Sequence, residues 1–561
     1  MIGTILFFFI ICFCFGSLIT RKLKFEDGFE QIVISIGVGL GLVSIWMVFT
    51  NLLRIPLVWF DLLLFSLFIV VVFKIKLKKI KFDRYSVGAL VISLVLLIVM
   101  LFGSYRYPYL EDSDPWQHAE SAKYVSIEKT LYQPENYTFH YTDSYPPVYT
   151  GLMGILHQTN DSISDTLKIF NCIMLALAIL FFYYFAKVLF KDKKKALLST
   201  FIIACLPSFM SHIIWAQTLA VCLMFVGFYC LLRQKESLLW MIPSVIIVAG
   251  IYLIQPSTAI IFSIMVFIIW LGKTDMFFRY IHILYSLLLG VLVSMLWWGD
   301  MILRYGLLGA FNGLNGDVSN LLSVLTTTRF DGSKIYVYNV FRFLAIPLKN
   351  KIDQPIGLGL VVCFLLILGV YHLISVRKKY FHSSRMKIII MWLVFTFIGI
   401  QGNLLPVQIF PHRFWVFFSI PVALLLAEVI IERYDKLPIV FWTVIGLIIL
   451  FNAVPKVIIQ TDVWSTACGL DCIEETEDMA FLNQLPKNTN VFTYPKDIRI
   501  IGYDMYQCFW CDDYIYNTTG VFDYIDNSDY EYVLTPKNIT TFEYKYIKIR
   551  STEYWNLYIT R

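Results

Sequence analysis

Apolar stretches of about 17 to 25 residues recur along roughly four-fifths of this 561-residue chain, each long enough for a helix to cross a hydrocarbon core about 30 Å thick. So many spanning stretches have no place in a water-soluble fold, and the bilayer must be the main solvent. Composition agrees, with 58% apolar or aromatic residues, 15% charged residues and a mean hydropathy of +0.68. The net charge of +6 does not argue for nucleic-acid binding, because Lys and Arg sit at the ends of alternate apolar runs, where membrane topology accounts for them.

The first run, residues 2–19, has no basic segment before it and no small-residue cleavage site, so it reads as a retained helix. Further spans are expected at about 32–53, 57–73, 86–104, 167–190, 196–214, 218–232, 238–254, 257–272, 280–298, 356–376, 387–405, 414–432 and 437–455, about fourteen in all. Basic residues set the orientation. Arg21, Lys22 and Lys24 follow the first span, six more lie between Lys74 and Arg84, four between Lys191 and Lys195 and five between Arg377 and Lys387. The intervening short loops hold little beyond Arg54 and Arg413. This asymmetry puts the basic side in the cytoplasm and both termini outside, in a multi-pass plasma-membrane protein. The four glycosylation-type sequons, at Asn136, Asn160, Asn517 and Asn538, all fall in segments then placed outside.

The expected fold class is therefore an α-helical polytopic membrane protein with a small external α/β domain. Three external segments carry the non-membrane residues: the loop 105–165, the segment 300–354 with Gly309, Gly313 and Gly316, and the tail 456–561. In the tail, residues 474–485 read as a helix with acidic residues in its first turn, ended by Pro486. Residues 491–494, 530–534, 542–549 and 554–559 read as strands, rich in aromatic and β-branched side chains. Seven cysteines lie in membrane spans as small apolar residues. The other four, Cys468, Cys472, Cys508 and Cys511, are in the tail, where an oxidising exterior favours disulfides of unassigned pairing over a zinc site.

The densest chemistry is in the first loop, at Glu111-Asp112-Ser113-Asp114-Pro115-Trp116-Gln117-His118. Pro115 suits the first helical position with Asp114 as the N-cap, which would fix the Asp114 carboxylate at a helix start with His118 one turn on. The same residues could also be no more than a capped helix on a wet loop. Carboxylates at the mouth of a bundle can act as a general base on a sugar hydroxyl, or hold a divalent cation (Mg or Mn, on Asp112 and Asp114) that neutralises phosphate. A second candidate is Pro411-His412-Arg413-Phe414-Trp415, where Arg413 enters a span from the side otherwise poor in basic residues. There it could clamp a phosphate bidentately or snorkel to headgroups.

A long external loop with an acidic pair followed by Pro-Trp resembles the first loop of GT-C glycosyltransferases, multispanning enzymes that take sugars from polyprenyl-phosphate lipids. Asp114-Pro115-Trp116 is similar to the catalytic subunit of oligosaccharyltransferase, and Ser144-Tyr145-Pro146-Pro147-Val148-Tyr149 resembles the Tyr-Pro-Pro segment that follows in GT-C proteins. The resemblance implies a GT-C-like module at 86–455, preceded by three additional spans in 1–85 and followed by the external domain 456–561. It implies Asp114 as catalytic base or metal ligand, Asp112, Glu111 and His118 in support, and Arg413 with His412 at the donor phosphate. It also points to Trp215-Ala216-Gln217 and Ile254-Gln255-Pro256-Ser257 as cavity-lining span ends. Partners would be a polyprenyl-phosphate-linked sugar, a glycan, glycolipid or protein acceptor, and the bilayer. Two departures count against protein glycosylation in particular: Trp297-Trp298-Gly299-Asp300 ends a span instead of lying in the tail, and no acidic pair occupies residues 215–218. Oligosaccharyl transfer, and a transporter or flippase, remain the alternative readings.

Overall fold

The computed structural model describes the chain apart from residues 76, 136, 274–279, 313–337, 347–356, 377–382, 403–410, 461–468, 512–519 and 561, and gives backbone alone for 308–312 and 469–473. Asn136, Asn517, Cys468, Gly313 and Gly316 lie outside the described residues, as does the side chain of Cys472.

Helices dominate, in the order α1 (Ile2–Thr20), α2 (Gly28–Leu52), α3 (Trp59–Phe73), α4 (Arg84–Arg106), α5 (Ser113–Glu128), α6 (Val148–His157), α7 (Ile163–Phe190), α8 (Lys193–Cys205), α9 (Ala216–Arg233), α10 (Met241–Tyr252), α11 (Pro256–Leu271) and α12 (Ile281–Asn312), followed by Leu360–Ser375, Ser384–Ile400, Pro411–Tyr434 and Pro438–Ile448. Among the described residues eight are long and apolar enough to cross a membrane unaided, and five more are shorter apolar helices. The count of about fourteen took every apolar run as a full span. The run 196–214 is not one helix: α8 stops at Cys205, because Leu206 precedes Pro207 and adopts an extended conformation (φ −69°, ψ 125°).

Burial sorts the helices. The apolar windows of α7 and α9 are each 94% buried and that of Pro411–Tyr434 wholly so, whereas α4 and the stretch Pro438–Gln460 keep most of theirs exposed, at 33% and 11% buried. The first group forms the middle of the bundle and the second presents apolar side chains outward, as lipid contact requires. The pair α1 and α2 meets backbone to backbone. A Cβ on Gly16 would lie 1.7 Å from the Ser35 carbonyl oxygen, and one on Gly39 1.6 Å from that of Cys12, so only glycine permits this approach. Helix α2 is itself inside the bundle, with Gly37 against Val226 and Phe181 and the buried Glu30 accepting from the Tyr229 hydroxyl at 2.9 Å.

The two ends of the bundle differ in chemistry. One end gathers ion pairs from the basic clusters: Lys187 with Glu26 at 2.9 Å, Lys193 with Asp83 at 2.6 Å, and Lys195 and Arg385 both on Glu428 at 2.9 Å. The other end carries the first loop and the tail. The tail holds a four-stranded sheet in the order β1 (Val491–Thr493), β2 (Tyr532–Pro536), β4 (Trp555–Ile559), β3 (Ile547–Ser551), with β1 and β2 parallel and the other pairings antiparallel. The expected long third strand divides into a short 3₁₀ turn, Thr541–Tyr544, and β3. A helix at Val521–Asn527, not foreseen, lies between the parallel strands, as a crossover demands. Cys508 and Cys511 are disulfide-bonded to each other. The seven cysteines Cys12, Cys14, Cys172, Cys205, Cys222, Cys230 and Cys363 are free and buried.

Tail and loop interlock. Glu120 on α5 accepts from the Tyr137 hydroxyl and pairs with Lys496 at 3.1 Å. Lys123 donates to Asn488 at 2.6 Å, and Trp510 donates to Glu128 at 3.0 Å. Asp504 reaches the start of α7, accepting from the backbone N–H of Ile163 at 2.9 Å and Ser164 at 3.4 Å. Its own backbone is left-handed (φ 60°), a conformation that Asp and Asn tolerate better than Ala. Asp504→Ala should therefore lower the stability of the full chain by about 1 to 2 kcal/mol, by losing both the cap and the backbone fit, while Asp504→Asn costs less. Thermal unfolding in detergent measures this; equal melting of the two variants would refute the cap.

Candidate active site

The acidic start of α5 is built differently from the expected arrangement. Asp112, not Asp114, is the N-cap: its backbone is extended (φ −150°, ψ 170°), its Oδ1 accepts from the Ser113 N–H at 2.6 Å, and its carbonyl accepts from the Trp116 N–H at 3.2 Å. Pro115 is then the third helical residue, which costs nothing because first-turn N–H groups have no helical acceptor. This frees Asp114 from capping. It accepts instead from the Tyr141 hydroxyl at 2.9 Å.

Tyr141 organises the site. Its ring stacks on the buried imidazole of His118 at 3.8 Å between centroids and 14° between planes, and Tyr149 meets that imidazole edge-on at 4.8 Å. Burial first, then the charge of Asp114, hold the Tyr141 hydroxyl protonated well above the ordinary phenol range, while the charge of Arg413 acts in the opposite direction. Asp114 and Arg413, three hundred residues apart in sequence, thus act on one phenol. Burial and then the neighbouring His140 push His118 well below its usual range, so this imidazole is neutral at physiological pH. Its Nδ1 is buried and makes no hydrogen bond among the described residues. His118 bears on Asp114 through the Tyr141 ring.

Arg413 lies in the first turn of Pro411–Tyr434, beside His412, and its Nη1 donates to Ser257 Oγ at 2.9 Å. Ser257 follows Pro256 at the start of α11, and the Val148 N–H at the start of α6 donates to the Leu253 carbonyl just before it, at 3.3 Å. The segments Ser144–Tyr149 and Ile254–Ser257 are thereby brought to the same place. In the Trp215–Thr218 segment Gln217 is buried, with neither side-chain polar atom hydrogen-bonded among the described residues.

Glu111 has a partner from outside the first loop. It pairs with the buried His212, Nε2 to Oε1 at 3.2 Å, and His212 Nδ1 meets Gln460 Oε1 at 2.8 Å. The pair joins the loop to the irregular segment after α8 and to the end of a late helix. Among the described residues no three His, Cys, Asp or Glu side chains converge as metal ligands. With Asp112 occupied as a cap, the donor set at Asp112 and Asp114 falls short of a cation site by itself.

Sequence reasoning missed a second carboxylate. Asp143, two residues beyond Tyr141, is buried, hydrogen-bonded to the Tyr305 hydroxyl and close to Arg304 and Asp300 at the end of α12. Arg304 pairs with Asp300 at 2.9 Å and lies over the Tyr132 ring at 3.9 Å, and Trp297 stacks on the same ring at 5.9 Å. The Trp297–Asp300 segment thus docks the end of α12 against the first loop. Desolvation, opposed by Tyr305 and Arg304, pushes the Asp143 carboxyl up to about 6. The folded chain holds this proton at pH values where the unfolded chain has lost it, so the contribution favours folding at low pH and disappears as pH rises through about 6. Melting temperature followed from pH 4 to 7 should show that loss in the wild type and not in Asp143→Asn; parallel curves would refute it.

No protein-family model and no curated protein matches the chain. Solved structures similar to it include the Archaeoglobus fulgidus oligosaccharyltransferase in the apo form (14% identity, 82% of this chain and 70% of that one, TM-score 0.48). They also include the A. fulgidus oligosaccharyltransferase AglB in complex with an inhibitory peptide and a dolichol-phosphate (13%, 82% and 70%, 0.47). A third is ArnT from Cupriavidus metallidurans in the apo state (11%, 85% and 98%, 0.49).

Proposed function

We propose that this chain is a membrane glycosyltransferase that moves a sugar from a polyprenyl-phosphate-linked donor to a glycan, glycolipid or protein acceptor on the external face of the plasma membrane. The observation that carries this reading is Tyr141, hydrogen-bonded to Asp114 and within electrostatic reach of Arg413. One carboxylate and one guanidinium then act on the same phenol at the loop-bearing end of a lipid-embedded bundle. A phosphate-linked sugar needs that pair: a base to take the proton of the acceptor hydroxyl as it attacks the anomeric carbon, and a cation to hold the departing polyprenyl phosphate.

In this mechanism Asp114 removes the acceptor proton. Tyr141 orients the Asp114 carboxylate, and His118 fixes the Tyr141 ring. Arg413, its guanidinium plane set by Ser257, takes the donor phosphate in a bidentate grip, with His412 alongside. Asp112 holds the helix start, and Glu111 anchors the loop through His212. A divalent cation, if one takes part, would be held by Asp114 and Asp112 together with the donor phosphate, and would supply charge neutralisation there.

The test is transfer from defined polyprenyl-phosphate sugars to extracted acceptors by the purified full chain, with and without chelator. Sugar transfer is expected; activity that survives thorough chelation would remove the cation, and an enzyme that binds these donors without ever transferring sugar would sink the reading.

A further inference from the structure

At the end of the bundle opposite to Asp114, a cavity of about 380 Å³ opens among the ends of α7, α9 and α11. Helix α7 has 28 residues and so separates it from the loop-bearing end by about 40 Å. Six cations line it: Lys187, Lys191, Lys193, Arg233, Lys235 and Lys273. Three carboxylates share the lining, and each is already engaged. Glu26 pairs with Lys187 at 2.9 Å, Glu236 with Arg233 at 3.1 Å, and Asp192 caps α8 by accepting from the Lys194 and Lys195 N–H groups at 2.8 and 3.2 Å.

Lys191, Lys235 and Lys273 remain. None of them has a carboxylate within ion-pair distance among the described residues. They come from three separate helix ends yet act on one another: burial first, then Lys235 and Lys191, push the Lys273 ammonium below its usual range. The preference for basic residues on one membrane face explains their sign. It does not explain why three of them converge on one concavity with no carboxylate paired to them among the described residues. The rest of the lining is apolar, from Val188, Leu189 and Leu232, and Leu238 and Leu239 stand exposed just beyond it in sequence. A charged recess with an apolar wall matches a headgroup with the start of its acyl chain.

We infer that this cavity binds a phosphate-bearing anion, presented by a lipid headgroup of the adjoining leaflet or as free phosphate, with Lys191, Lys235 and Lys273 supplying the charge. This site is separate from the transferase reading, and its test does not use transfer activity. The full-length protein in detergent is titrated with phosphatidylglycerol, phosphatidylcholine or inorganic phosphate while its melting temperature is followed.

Phosphatidylglycerol should raise the melting temperature saturably and phosphatidylcholine should not. Each basic residue at an anionic surface is worth about fivefold in affinity, so the variant carrying Lys191→Gln, Lys235→Gln and Lys273→Gln should need roughly a hundredfold more lipid. If inorganic phosphate gives the same saturable shift, lost in the triple variant, the ligand is the free anion and the site stands. Should the triple variant not fold, Lys273→Gln alone should weaken binding about fivefold. Equal titration of wild type and a folded variant, an equal shift with phosphatidylcholine, or no shift with either phosphate source would overturn the inference.

Discussion

Replacing Asp114 with asparagine should lower turnover about a hundredfold or more while leaving donor binding intact. The substitution is a cleaner probe than its position at a helix start suggests. Asp112 carries the cap, so Asp114→Asn removes a charge without disturbing the beginning of α5. Asp112→Ala should do the reverse, costing about 1 kcal/mol of stability. Tyr141→Phe leaves the ring on His118 but removes the hydrogen bond to Asp114, and its loss of turnover should be smaller than that of Asp114→Asn. Single-turnover transfer measured beside donor affinity separates these effects. Normal turnover in Asp114→Asn would leave only a capped helix on the loop.

Arg413→Ala should weaken donor binding by about ten- to a hundredfold, the usual worth of a charge-assisted contact to phosphate. Arg413→Lys should recover only part, because an ammonium cannot reproduce the planar fork. Ser257→Ala should have a smaller effect in the same direction, since it removes the 2.9 Å contact that sets the plane of the guanidinium. Equilibrium binding of a polyprenyl-phosphate sugar to each variant is the measurement. An Arg413→Ala enzyme with unchanged donor affinity would mean that this arginine serves headgroups at the membrane surface instead.

The helical architecture was readable because an apolar run long enough to cross a bilayer is a local property of the chain. The stop of α8 was also written locally, in Pro207, but a run-length argument passes over a single proline. Arg413 stood out by contrast, as a cation where neighbouring loops have few. Tyr141 and Asp143 did not stand out: a tyrosine and an aspartate before Tyr145-Pro146-Pro147 look like ordinary loop residues until the chain folds back and sets one against Asp114 and the other against Tyr305. The pairing of Glu111 with His212, 101 residues away, was likewise invisible to adjacency along the chain. The cap was misassigned for a subtler reason, since Asp112 and Asp114 both precede a plausible first turn and only the extended backbone at Asp112 decides between them.

The bonds between tail and first loop also set an order of assembly. Trp510 contacts Glu128 across 382 residues, and Lys496, Asn488 and Asp504 complete the hold on α5 and α7 from the same late region. A ribosome adding about 5 to 20 residues per second needs roughly 20 to 75 s to travel from Glu128 to Trp510. Throughout that interval the nascent chain already carries Asp114, and α5 is held by the first loop and α6 but not yet by the tail. The helix that carries Asp114 is thus synthesised early, while its bonds to the tail are among the last to form.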